Sequence, residues 1–196
     1  MGAILDYITA AIIFGVLALN VARIQLNLNA TLYKNTFTTI AQSNAVQLAE
    51  QIEHEFLKIG HHVSGQKILT ADSSRIQFKA DVLNDNNIAT IEYWAGTTEQ
   101  ASSTTNPYDF PLFRMYNSII AEQNYGTTNF SLSYYDSTNT LIPTPITGSN
   151  LDRIKSIRVK FTIQSHSPVI SLTDTTYASV NWEKLIFPRN LSKIAY

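Results

Sequence analysis

The chain has 196 residues, of which 44% are hydrophobic and only 15% charged, with a net charge of −1 and no cysteine. That length suits one medium domain with an appendage, or one domain alone. A charge this close to zero leaves no field to attract nucleic acid or acidic lipid. The missing cysteines exclude disulfide frameworks and thiolate metal sites.

Ala3 to Ala22 is apolar except for Asp6, Thr9 and Asn20, and Arg23 closes the run. About 20 apolar residues span a bilayer core of about 30 Å. A signal peptide would carry a basic start and a small-residue cleavage site, and neither is present. A buried core helix is the ordinary alternative, but this run is long and apolar on every face. A carboxylate inside it needs a partner, unless Asp6 sits at the bilayer edge or near the helix N-terminus. The candidates are an α-amino terminus and Arg23 of a neighbouring chain. Its own Arg23 is out of reach, because 17 residues of helix separate the two by about 25 Å.

From Gln25 to Ile59 there is neither Pro nor Gly. Phe37, Ile40, Ala41, Ala45, Leu48, Ile52, Phe56 and Ile59 step by three or four, which marks one face of an amphipathic helix. Gly60 and His61-His62 end the pattern. The weak helix formers between Asn27 and Thr39 predict a looser middle, with Gly15 and Asn20 as places where the helix stretches. A helix over residues 3–60 would be about 85 Å long, too long for a head domain of this size to cover. Three segments follow: residues 1–24 as an apolar membrane or filament-core helix, 25–61 as its amphipathic continuation, and 62–196 as a β-rich head.

After residue 62 the period changes to two. Arg75–Ala80 and Ala89–Trp94 alternate around the turn Asn84-Asp85-Asn86-Asn87, which predicts a hairpin. Further strands are expected over Leu112–Tyr116, Phe130–Tyr135, Ile154–Ile163 and Ser179–Phe187. Thr97–Asn106 and Asp136–Asn150 read as loops. The sum is an α+β fold, a long N-terminal helix packed on an antiparallel sheet.

This order resembles type IV pilins and the pseudopilins of type II secretion. The stretch Ile76–Val82, a short turn and Thr90–Tyr93 is similar to a hairpin of minor pilins of the PilW and pseudopilin J kind. Glu183–Leu191, ending Pro-Arg-Asn-Leu, resembles their closing strand. The resemblance covers roughly half the chain. It departs from the family in the leader, in the opening Met-Gly-Ala-Ile-Leu-Asp, and in the absent Pro near the end of the apolar segment. Removal of Met1 alone would make Asp6 the fifth residue, where the family keeps its Glu.

The resemblance implies a structural subunit of an extracellular pilus-like filament and not an enzyme. It implies Asp6 for inter-subunit charge pairing, with Arg23 as a candidate partner. Ile4, Leu5, Ile8, Ile12, Ile13, Phe14, Leu17 and Leu19 would pack the filament core. The partners expected are copies of the same chain, the inner membrane before assembly, and pilus assembly machinery, with no nucleic acid. The expected location is the inner membrane, then the cell surface. Two alternatives are a low-copy minor pilin or pseudopilin, and a membrane-anchored periplasmic binding protein that does not polymerise.

No catalytic motif, phosphate-cradling Gly loop or metalloprotease helix occurs, and no cofactor is expected. His61 and His62 are adjacent and expected to diverge, His54 lies on another turn, and His166 is expected to stand alone, so no convergent metal ligands are predicted. Asp81, Asn84 and Asp85 are a calcium candidate set in the hairpin turn, short of the six oxygens that calcium takes.

Overall fold

A computed structural model describes residues 2–101, 104–170 and 175–191. One helix, α1, runs without a break from Gly2 to Leu57. The expected loosening at Gly15 and Asn20 does not occur. Asn20 instead donates to the Val16 carbonyl at 2.9 Å. The weak helix formers of the middle are held in the same way, with Thr31, Thr36, Thr38 and Thr39 each donating to the carbonyl four residues back. This back-bonding satisfies the hydroxyls within the helix without adding to its stability.

The strands are β1 (Ile68–Ala71), β2 (Arg75–Ala80), β3 (Ala89–Ala95), β4 (Phe110–Tyr116), β5 (Ile119–Tyr135), β6 (Leu141–Ile142) and β7 (Ser156–Gln164). β8 (Val169–Ile170), β9 (Thr175–Thr176) and β10 (Ser179–Ile186) complete the set. The main sheet is antiparallel in the order β1-β2-β3-β4-β5-β7-β10, with β6 also pairing β5. The fold is therefore α+β, a long apolar N-terminal helix against an antiparallel sheet.

The hairpin read from alternation is present in the expected register, Arg75 opposite Trp94 through to Ala80 opposite Ala89. β5 differs from expectation. It begins at Ile119, eleven residues before the predicted strand, and changes partner midway. Its first half pairs β4 and its second half pairs β7. Gly126 makes the bend. Its φ is +78°, and a Cβ there would lie 2.2 Å from the Gln164 carbonyl oxygen. Only glycine tolerates both conditions.

Only the lower part of α1 enters the core. Ala41, Ala45, Leu48, Ala49, Ile52 and Phe56 are buried against alternate side chains of the strands, among them Ile76, Phe78, Ile91, Tyr93, Leu132, Val159 and Phe161. Phe56 meets Phe78 and Tyr93 edge-on at 5.6 and 5.7 Å. Ile40, expected on the buried stripe, is 47% exposed. Phe37, one turn earlier on the same stripe, is half-buried, and the first buried residue of α1 is Ala41.

Candidate assembly surface

From Gly2 to Ile40 no residue of α1 is buried. At 1.5 Å per residue this bare stretch is about 58 Å long. The eight predicted packing residues, Ile4, Leu5, Ile8, Ile12, Ile13, Phe14, Leu17 and Leu19, are 55–75% exposed. The surface continues past Arg23 through Ile24, Leu26, Leu28, Leu32 and Tyr33, all more than half exposed. The helix is long and apolar enough to cross a membrane, and its most apolar window is 0% buried by the rest of the chain.

Two polar side chains of the apolar run are satisfied within it. Thr9 donates to the Leu5 carbonyl at 2.8 Å, as Asn20 does to Val16. Such back-bonding lets a hydroxyl or amide enter an apolar medium without an unmet hydrogen bond. Asp6 is not satisfied in this way. Among the described residues neither it nor Arg23 has a hydrogen-bond or ion-pair partner. The straight helix keeps the two apart by about 25 Å within one chain.

At the foot of α1 the chain is tied to the sheet by a buried ionic group. Glu55 is only 4% exposed and sits in phase with Ile52 and Phe56. It accepts from the Tyr93 hydroxyl at 2.6 Å and from Arg114 Nε at 3.0 Å. Burial and the Glu55 charge push the Tyr93 hydroxyl well above its usual pKa. Burial alone would lower Arg114, but the Glu55 hydrogen bond and charge outweigh it and the guanidinium is raised. Sequence reasoning missed this group. Its signal was an acid on the apolar stripe of the helix, which has to find a buried cation.

The oxygens of the three calcium candidates carry hydrogen bonds within the protein. Asp81 is fully buried and accepts the Asp85 and Asn86 backbone N–H groups at 3.1 and 3.0 Å. Asp85 accepts from Asn87, and Asn84 accepts from the Lys58 ammonium at 3.3 Å. The candidate side-chain oxygens each accept from an N–H group, and the Lys58 donor on Asn84 is itself a cation. Burial raises the Asp81 carboxyl, yet the His62 contact and the Asn86 and Asp85 amides together hold it below its usual value.

The histidines also differ from expectation. His61 and His62 stack with ring centroids 4.0 Å apart, and His62 Nδ1 is 2.8 Å from Asp81 Oδ2. Left-handed backbone at Gly60 (φ +77°) and His62 (φ +57°) reverses the chain, so neighbouring rings lie together. His166 is not alone either, since its Nδ1 is 3.4 Å from Asp109 Oδ2. Comparison with protein-family models, with curated proteins and with solved structures finds no match, so the reading of this surface rests on the chain's own chemistry.

Proposed function

We propose that this chain is a structural subunit of a type IV pilus-like extracellular filament. Residues 3–22 hold it in the inner membrane, and assembly machinery then moves it into a polymer of sister helices. Lipid and a neighbouring apolar helix cover this segment about equally well, so its transfer costs little hydrophobic energy. Asp6 then meets a cationic group of a neighbouring subunit. The same surface patch repeated head to tail without closing gives a fibre.

The observation that carries the reading over a lone membrane anchor lies above Arg23. Ile24, Leu26, Leu28, Leu32, Tyr33 and Ile40 remain exposed beyond the span. An anchored monomer leaves them in water, whereas a bundle of staggered rods covers them. At about 1.5–3 kcal/mol per side chain, these six contribute roughly 9–18 kcal/mol gross. Association costs roughly 4–15 kcal/mol, so this set offsets a large part of that cost and the membrane segment adds to it.

The hairpin resemblance favours a second reading, a low-copy minor pilin or pseudopilin. Abundance in material sheared from cells separates the two. Electron microscopy of that material tests the main reading: helical filaments containing this chain are expected. A detergent-extracted protein that stays monomeric after detergent removal would refute it.

A further inference from the structure

The loop that closes α1 gathers three metal-ligating side chains. Ligand atoms of His61, His62 and Asp81 all lie within 4.8 Å of one another. The scaffold around them is backbone. The Gly60 N–H donates to the Lys79 carbonyl at 2.9 Å, and the Asp81 N–H donates to the His61 carbonyl at 3.1 Å. These bonds fix the histidine loop to the end of β2. The Asp81 carboxylate is held by two amides and faces His62 with a third contact. An ionised carboxylate has about four lone-pair sites, so one is left on Oδ1, and loss of the His62 proton frees a second on Oδ2.

We propose that His61, His62 and Asp81 bind one divalent transition-metal ion of the zinc type, which clamps the foot of α1 to the end of β2. Two imidazoles with one carboxylate suit zinc, copper or nickel, whereas calcium takes oxygen donors. Bound at about 2.0–2.2 Å, neighbouring ligand atoms on zinc lie roughly 2.8–3.5 Å apart. The His62–Asp81 pair already stands at 2.8 Å. A separation at the 4.8 Å limit has to close by at least about 1.3 Å to reach that range. The two rings supply the movement, since His62 is exposed and His61 half-buried, while the buried carboxylate stays fixed. The metal takes a neutral imidazole nitrogen, so the proton on His62 Nδ1 moves to Nε2 or to solvent.

The group opens on a cleft of about 330 Å³ lined in part by His61, His62 and Ser64, which gives an ion a path in and leaves room for water ligands. Lys58, the nearest lysine in sequence, commits its ammonium to the Val82 carbonyl and the Asn84 side chain. The proposal does not depend on filament formation.

The test uses the full chain in detergent micelles, stripped with a chelator and titrated with Zn²⁺ by calorimetry. One ion per chain with micromolar or tighter affinity is expected. His61→Gln and His62→Gln should each weaken binding by about tenfold or more. His54→Gln, about two turns of sequence before His61, should leave it unchanged, and excess Ca²⁺ should not compete. Far-UV circular dichroism checks that each variant folds. No uptake at sub-millimolar Zn²⁺, or uptake that survives both substitutions in the cluster, overturns the proposal. Should a variant fail to fold, Cu²⁺ bound to the unaltered chain is read by electron paramagnetic resonance. Nitrogen couplings from two imidazoles support the site, and one or none refutes it.

Discussion

Asp6 is the only charged side chain between Gly2 and Ala22, and it has no partner within the described chain. An unpaired carboxylate in an apolar medium costs several kcal/mol, so in the proposed filament a cationic group of a neighbouring subunit would neutralise it. Asp6→Ala is expected to lower filament yield while the head keeps its circular dichroism spectrum. An undiminished yield on electron micrographs would remove the pairing role. Asp136 offers a separate check on the head. Hydrogen bonds from the Thr138 side chain and the Thr140 and Thr138 amides hold its carboxyl at about 2, below the ordinary 3.8. A pKa depressed by folding stabilises the head above the unfolded value, and the effect is lost as pH falls through the folded one. The stability gap between the native chain and Asp136→Asn should be constant above the ordinary carboxyl range. It should shrink as pH drops toward 2, as chemical denaturation at stepped pH would record.

At the scale of elements, the helix is locked to the sheet by Glu55, Arg114 and Tyr93 as well as by apolar packing. Removing one member of a buried pair strands the other. Glu55→Ala should cost about 3 kcal/mol, and replacing Glu55 and Arg114 together by Met should cost less than that single change. Urea unfolding of the three proteins decides this, and a double variant weaker than the single would contradict it. Phe56→Ala, which empties a site between two aromatic edges, should cost about 3–5 kcal/mol. The β2–β3 hairpin was legible in advance because its register follows from local alternation around one turn. The first half of β5 was not. Ile119 to Asn129 has no two-residue period, and its strand state comes from pairing with β4, which sequence pattern does not encode.

For the whole molecule, the decisive property is asymmetry of cover. The head buries α1 from Ala41 downward and leaves the rest bare. Deleting residues 2–36 should therefore yield a soluble, monomeric head with the native strand content. Light scattering and circular dichroism would check this. Aggregation of the truncated head, with loss of β signal, would mean that the upper rod supports the fold. Among the described residues, fewer large apolar side chains are exposed on the head, Ile119 and Ile120 among them, than on the rod.

The amino-acid order alone determined that a long apolar rod precedes a β-rich head. Both features are periodicities within a short window, and burial needs no knowledge of distant residues to impose them. The same holds for the rod's excess length, which is a count of residues times a fixed rise. Tertiary structure decided the rest. It set where cover stops on the helix, at Ala41, because that depends on how far the sheet extends. It paired Glu55 with Arg114, 59 residues away in sequence. It also turned His61 and His62 back onto Asp81, because two left-handed residues and a strand end meet there, and no spacing rule within either segment contains that meeting.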